Sequence, residues 1–587
     1  MYTVVENARI VIALLKAHNI RHIVLSPGGS NIPIVQGVQD DPFFKCYSVV
    51  DERSAMYVAI GLYLQTGEII ATSCTSAQAT RNYLPGLTEA FYRHVPILAI
   101  TMSKHPKYVG QEYMQCPVQT SLPIDAVKKS YSLPKINTDD DRELCIRMVN
   151  EAILETTHHT CGPVQLNIEA LDSETWCLGD FELPIVRVIK RYQDEYNFNF
   201  SLNGKKIMVL IGEHIPFCQK EITAIENFCN TNNALVYKSH LSNYFGRYAI
   251  NGLPVLAGAS LSYFKDELSP DIVITLGGIT GDYDVYYRIR NNLNESTEIW
   301  RVNPDGNIVD TYGRLTKVFQ MSIETFFYAI GQSDNFVSHS YYESWEYALK
   351  QSHHEEVELP LSNMYVAQQL HDYIPQNSNI HFAILNSLRC WSIFDLHQNV
   401  KAYSNVGGFG IDGCLSTMLG QSFSTDELCF LIIGDLSFYY DMNALAIRHI
   451  KSNVRILLIN NNGGAEFKIN TIHEKIDVSR YIAGDNHFHN AKSWAEENRF
   501  QYIPCYSKED FLENREYFVD RRCDKPILME VFTNAEDDKN AIYTLRASCK
   551  CLSHSECVLK EKKGKKNKII TNIIGDTCFS LFKKVFK

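Results

Sequence analysis

Two apolar runs, Leu431-Ile432-Ile433 and Ile456-Leu457-Leu458-Ile459, each end in a short polar motif, and a helix-length segment from Asp441 to Ile450 lies between them. The first run ends in Gly434-Asp435-Leu436-Ser437, the second in Asn460-Asn461-Asn462-Gly463-Gly464. Strand, helix, strand is a β-α-β unit, and its right-handed crossover makes the two strands parallel neighbours. Both motifs then emerge at the carboxyl ends of adjacent strands, where open α/β sheets bind ligands.

The same alternation runs through the chain. His22-Ile23-Val24-Leu25 reads as a buried strand ending in the turn Ser26-Pro27-Gly28-Gly29; Cys46 to Val50, Ile69 to Thr72 and Ile97 to Ile100 continue the series, with helical periodicity from Arg53 to Gln65. A second series holds Ile207 to Gly212, Asp271 to Gly278 and Glu298 to Val302. A third holds Ala402 to Val406, the two runs above and Ile527 to Val531. Strands separated by helical lengths predict parallel sheets covered on both faces. The expected fold class is therefore α/β, with three consecutive parallel-sheet domains over residues 1–175, 200–332 and 358–535, polar linkers from Asp172 to Gly204 and Gln332 to Glu358, and a tail over 536–587. A chain of 587 residues is too long for one core, which agrees.

Composition narrows the function classes. A formal charge of -11 argues against a nucleic-acid footprint over the main body. Met1-Tyr2-Thr3-Val4-Val5-Glu6 lacks the basic and apolar pattern of a secretory signal, and no window reaches about 18 uninterrupted apolar residues. The 17 cysteines are scattered, as expected of reduced thiols in a cytoplasm.

Asp435, an amide oxygen from Asn461 and a main-chain carbonyl are hard oxygen ligands of the kind magnesium takes, with phosphate oxygens and water completing its shell. The small residues Gly434 and Ser437 leave room for phosphates to approach main-chain amides.

Gly-Asp followed one helix and strand later by Asn resembles the thiamine-diphosphate signature. Gly434 to Leu445, Asn460 to Gly464, Tyr403-Ser404-Asn405, Gly410-Ile411-Asp412-Gly413 and Leu415-Ser416-Thr417 resemble the 2-succinyl-5-enolpyruvyl-6-hydroxy-3-cyclohexene-1-carboxylate synthase family of menaquinone biosynthesis, over about residues 5 to 535. The resemblance implies decarboxylation of a 2-oxo acid and transfer of the resulting carbanion to an acceptor or a proton. It implies thiamine diphosphate and magnesium as cofactors, with Asp435, Asn461 and the Gly463 carbonyl holding the metal. It also implies that Glu52, in Val50-Asp51-Glu52-Arg53, is the acid bonded to the cofactor's aminopyrimidine, that Ile411 props the cofactor in its bent shape, and that Phe467 lines the thiazolium. In such enzymes the glutamate and the diphosphate site come from different subunits, so a homodimer or homotetramer is expected.

The substrate side departs from the pattern. Ser26-Pro27-Gly28-Gly29-Ser30-Asn31-Ile32-Pro33 has Ser30 where the family has an arginine, Val406 replaces a second, and a third falls at Trp391, with Arg389 close by. Lys104 stands for a further arginine, and Gln115 matches a substrate-facing glutamine. Losing bidentate guanidinium groups changes carboxylate recognition. The main reading is therefore a relative with a changed 2-oxo acid donor or acceptor, the authentic menaquinone-pathway synthase being the alternative. Arg81, Asn82, His94, Tyr113 and His487 are further candidates for the pocket.

Two rivals come from other classes. Gly408-Phe409-Gly410-Ile411-Asp412-Gly413 spells G-x-G-x-x-G, as a nicotinamide-dependent oxidoreductase would, but leaves the Gly-Asp and Asn pair unexplained. A non-catalytic scaffold would have no need to keep Glu52, Asp435 and Asn461 together. In the tail, Cys549, Cys551, His554 and Cys557 lack paired zinc spacing and read as exposed thiols. From Lys565 on, Ile569, Ile570, Ile573 and Ile574, then Cys578, Leu581, Phe582 and Val585, recur at helical spacing beside lysines, a pattern that can lie on an anionic membrane surface.

Overall fold

The computed structural model describes residues 2–169, 177–179, 181–193, 198, 200–281, 283–330, 338–352, 356–469, 476–479 and 481–551. The chain divides into two compact units: Met1–Asp194 with Pro304–Met321, and Glu195–Asn303 with Ser322–Lys587. Three parallel sheets with interleaved helices carry the fold, which is the expected α/β class.

In the first unit the strands run in the order Lys45–Ser48, His22–Leu25, Ile70–Cys74, Ile97–Ser103, Val164–Glu169, Ser130–Leu133, every pair parallel. Successive side chains alternate between two cores. Ile23, Leu25, Ala71, Leu98 and Ile100 face the helix Glu6–Ala17 side, while Val24, Ile70, Cys74, Ile97 and Ala99 pack with Ala55, Met56 and Ala59 of the helix Glu52–Thr66. That helix starts where Asp51 accepts hydrogen bonds from the Arg53 and Ser54 amides, and it stops at Gly67, whose φ of 69° suits glycine. Part of the expected linker belongs to this unit as the strand Lys190–Gln193, parallel to Leu315–Gln320.

The second unit holds the other two sheets. One has, in this unit, the parallel strands Ala249–Asn251, Ala234–Lys238, Ile207–Ile211, Ile272–Leu276 and Glu298–Val302, in that order. The other runs Lys401–Tyr403, Asn379–Phe382, Cys429–Gly434, Val454–Asn460, Ile527–Phe532, Gln501–Cys505, again all parallel. Phe430, Ile432, Leu457 and Ile459 point into one core, and Cys429, Leu431, Ile433, Val454, Ile456 and Leu458 into the other, so both faces are covered. The register pairs Gly434 with Ile459, which brings the two polar motifs out side by side.

Four local expectations change. The crossover helix begins at once, as Asp435–Asp441, and a 3₁₀ turn over Met442–Ala446 follows it; the expected helix to Ile450 is absent because the chain turns as soon as the strand ends. The second expected linker contains the helix Ser340–Lys350, anchored by Tyr341 and Trp345, which both donate to the Leu268 carbonyl, at 2.9 and 3.1 Å. The tail begins later than residue 536, since the helix Ala535–Ser548 inserts Ala541, Ile542 and Leu545 into the core. Cys549 and Cys551 are buried rather than exposed, and Cys551 Sγ donates to the Ala348 carbonyl at 3.2 Å. His554, Cys557 and the basic amphipathic segment lie outside the described residues. No described helix is long and apolar enough to cross a membrane.

Candidate active site

Asp435 is the first residue of its helix and is 2% exposed, although it carries a carboxylate. Burial pushes its pKa up, and the hydrogen bonds it accepts oppose that: His487 Nε2 at 3.0 Å, the Leu436 N–H at 2.7 Å and the Gly463 N–H at 2.9 Å. The Gly463 bond ties the end of one strand to the loop after the next. Gly463 has a φ of 151°, and a Cβ there would stand 2.2 Å from Asp485 Oδ1, so only glycine fits. Its carbonyl accepts the Ala465 N–H at 3.2 Å.

Asn461 faces two ways. Nδ2 donates to Asp538 Oδ2 at 2.8 Å, whereas Oδ1 is out of contact with solvent and has no hydrogen-bond partner. An orphaned buried acceptor beside a buried carboxylate is costly unless something electropositive meets it. Among the described residues no three His, Cys, Asp or Glu side chains converge as a metal-binding set. A cation here would use one carboxylate, one amide oxygen and a main-chain carbonyl, which is the hard, mostly neutral donor set that magnesium accepts alongside phosphate. Space for phosphate is present too: a Cβ built on Gly434 would meet nothing within 4 Å. The residues therefore fit both groups.

Further contacts stiffen this edge. The Ser437 hydroxyl donates to the Ile411 carbonyl, joining the Gly410-Ile411-Asp412-Gly413 turn to the Asp435 helix. Asp441, at the far end of that helix, accepts from the Ser416 N–H and hydroxyl, each at 2.7 Å. Gly413, with φ of 74°, caps the helix Cys414–Ser422. Glu530 lies inside an apolar strand and accepts from Asn460 Nδ2 at 2.7 Å, the Ala491 N–H at 2.9 Å and the Tyr502 hydroxyl at 2.7 Å. Phe467 is 37% exposed in the short helix Glu466–Ile469 that follows the glycines.

In the first unit Glu52 stands at the start of its helix, half-buried, and its Oε2 accepts from Asn82 Nδ2 at 3.0 Å. Ser30 is pinned at the strand ends: its Oγ lies 2.5 Å from Thr75 Oγ1 and accepts the Ser76 N–H at 3.0 Å. Lys104 Nζ sits 4.9 Å from the centre of the Tyr113 ring, and Gln115 is exposed with a φ of 57°. Arg81 donates to the Val118 carbonyl at 2.9 Å, and His94 is exposed.

In the second unit Arg389 is held by Glu466, with contacts of 2.5 and 3.0 Å, and by Asn386 Oδ1 at 2.7 Å. Trp391 is 0% exposed and packs against Phe382 in the core, so its ring fills the interior instead of facing a ligand. Sequence reasoning missed Asp538, Glu530 and Glu466. Only Glu530 left a sign, as a charged residue within Ile527 to Phe532.

A family model described as "Thiamine pyrophosphate enzyme, N-terminal TPP binding domain" matches residues 6–122. Over 557 residues the chain is 35% identical to the 2-succinyl-5-enolpyruvyl-6-hydroxy-3-cyclohexene-1-carboxylate synthase of Bacteroides thetaiotaomicron, covering 92% of this chain and 98% of that one. The chain belongs to this synthase family. The Phocaeicola vulgatus synthase is 36% identical, with 92% of this chain and 97% of that one covered, and the Flavobacterium johnsoniae synthase is 27% identical, with 91% and 97% covered. As a synthase-family member the chain is a thiamine-diphosphate-dependent enzyme. The G-x-G-x-x-G string is then a turn of this architecture rather than a nicotinamide fingerprint.

Proposed function

We propose that this chain is a magnesium- and thiamine-diphosphate-dependent carboligase of the kind its relatives are named for, joining the acyl carbon left by decarboxylation of a 2-oxo acid to a carbon acceptor. The observation that carries the reading is the buried, unpartnered Asn461 Oδ1 in the same loop as Gly463, whose N–H bonds Asp435. Bound thiamine diphosphate supplies the carbanion chemistry that neither a side chain nor the main chain can provide. Asp435, Asn461 and the Gly463 carbonyl would hold magnesium, and the room over Gly434 would take the diphosphate. Glu52, whose Oε2 accepts from Asn82 Nδ2 at 3.0 Å, would be the carboxyl group that bonds the aminopyrimidine. In a homodimer, Glu52 of one copy would serve the diphosphate site of the other.

The relatives' name describes a cyclohexene carboxylate bearing a succinyl group. A succinyl group on a ring carbon is what remains when a five-carbon 2-oxo diacid loses carbon dioxide and its carbonyl carbon is joined to the ring. A donor of that class is the first expectation for this chain. A second reading, a different 2-oxo acid, is favoured by Ser30, Val406 and the core residue Trp391 at positions where the family resemblance expects arginines. Calorimetry with thiamine diphosphate and magnesium, followed by carbon dioxide release from a panel of 2-oxo acids, tests both. Absence of magnesium-dependent cofactor binding would overturn the proposal, and the donor that releases carbon dioxide chooses between the readings.

A further inference from the structure

The two ends of a primary amide have nearly the same shape, so hydrogen bonding alone decides which way it faces. For Asn461 the decision falls to Asp538. Its Oδ2 accepts from Asn461 Nδ2 at 2.8 Å, and the opposite end of the amide, Oδ1, is left buried and unpartnered. We infer that Asp538 is a positioning residue, one that sets the Asn461 amide with its oxygen toward the metal. This rests on the proposed function, in which Asn461 is a magnesium ligand.

Asp538 is itself held from several sides. Its Oδ1 accepts the Asn363 N–H at 2.8 Å, at the start of the helix Asn363–Leu370, and the Thr533 hydroxyl approaches Oδ2 at 3.4 Å. Its own N–H donates to the Asn534 carbonyl at 3.0 Å, in the first turn of the helix Ala535–Ser548. An aspartate in a first helical turn ordinarily faces water and needs no other reason to be there. This one is 4% exposed. With Oδ1 committed to Asn363, the carboxylate cannot turn, and only Oδ2 is left to meet Asn461. An oxygen that offers no proton must take the NH₂ end. Partners of metal ligands act in this way elsewhere, and losing one costs about 10- to 100-fold in metal affinity.

A merely structural role makes a different forecast, and two variants separate them. Asp538→Asn keeps the shape. Its oxygen is still required by the Asn363 N–H, so its NH₂ group faces Asn461, and that amide must turn over and present its own NH₂ to the metal. Asp538→Ala is the more disruptive of the two for packing, yet it leaves the Asn461 amide able to face either way. Manganese is the probe, titrated with thiamine diphosphate present and followed by electron paramagnetic resonance, alongside thermal unfolding of the metal-free protein.

The expected order of manganese affinity is wild type, then Asp538→Ala, then Asp538→Asn, the last weaker than wild type by about 10- to 100-fold. The expected order of thermal stability is different, with Asp538→Asn near wild type and Asp538→Ala lowest. Adding Asn461→Asp to Asp538→Asn restores an acceptor opposite the new NH₂ group and recovers at least about tenfold in affinity, the mark of a coupled pair. If Asp538→Asn binds manganese as tightly as wild type, or if Asp538→Ala is the weaker binder, the inference is overturned and the proposed function stands. If the wild type binds no manganese with thiamine diphosphate, the proposed function falls first. Should Asp538→Ala fail to fold, Asp538→Asn against wild type decides. Should Asp538→Asn fail, an Asp538→Ala protein that binds manganese as tightly as wild type overturns the inference, and Asn461→Asp in the Asp538→Asn background supplies the positive arm.

Discussion

His487 Nε2 lies 3.0 Å from Asp435 Oδ2, the same oxygen that accepts the Gly463 N–H. The imidazole donates to a carboxylate whose burial disfavours its charged form. A hydrogen bond to a charged group contributes about 1.5–3 kcal/mol, or roughly tenfold and more in an equilibrium. His487→Ala should therefore weaken magnesium-dependent thiamine diphosphate binding by about tenfold, and His487→Gln, which keeps an N–H donor, should recover part of the loss. Titration calorimetry reads both; equal affinities for wild type and His487→Ala would separate His487 from the site.

Glu52 and Asn82 make the matching pair in the first unit, 3.0 Å apart. A positioned acid contributes about 10²- to 10⁴-fold to a rate. Glu52→Gln is expected to lower carbon dioxide release by at least about 100-fold while cofactor binding persists. Asn82→Ala, which only unties the carboxylate, should lower it by about tenfold. Steady-state rates beside cofactor affinities check the split, and a Glu52→Gln variant of near wild-type rate would remove the acid from the scheme.

Two buried histidines make stability depend on pH. His381 Nε2 lies 2.6 Å from Gln421 Oε1 and His240 Nε2 lies 2.8 Å from the Trp391 carbonyl; burial lowers each to about 4 from an ordinary 6.5. Between those two values the unfolded chain binds protons that the folded chain refuses, so stability is complete above pH 6.5 and is lost as pH falls toward 4. The loss is roughly 3 kcal/mol per histidine at most. Urea midpoints measured across that window should fall, and more gently in a His381→Gln variant. An unchanged slope in that variant would mean that other groups set the acid limit.

Which parts were legible in the sequence follows from what each residue answers to. The three sheets and the Gly434-Asp435 to Asn461 unit show in the sequence because strand alternation and strand-end motifs are local patterns, and the crossover rule makes the two strands parallel neighbours; the register of Gly434 with Ile459 is seen only in the structure. The helix after Asp435 starts sooner than the apolar pattern suggests, since its early residues Asp435 and Ser437 make polar contacts instead of a regular apolar face. Asp538 gave no sign at all: Asn534-Ala535-Glu536-Asp537-Asp538 reads as a solvated helix start, and only tertiary packing turns the last carboxylate inward toward Asn461. Trp391 shows the same limit in the other direction, because alignment with a ligand position cannot tell a core ring from one that faces a pocket.

Two glycines of the site should respond in opposite ways to a methyl group. Gly463 has φ of 151° and a Cβ would stand 2.2 Å from Asp485 Oδ1 and 2.9 Å from Asp485 Cα, a residue itself tied to Lys468. Gly463→Ala should cost at least about 1–3 kcal/mol of stability from backbone strain alone. Gly434 has φ -81° and ψ 163°, which alanine adopts readily, and its Cβ would meet nothing within 4 Å. Gly434→Ala should leave unfolding unchanged or raise stability by about 0.4–1 kcal/mol, through a less free unfolded chain. Yet that methyl group would stand in the room proposed for the diphosphate, so thiamine diphosphate binding should weaken by at least about tenfold, a cost of roughly 1.4 kcal/mol. Thermal unfolding and calorimetry on the two variants give four numbers. A Gly434→Ala protein that folds and binds the cofactor like wild type would move the diphosphate away from this strand end.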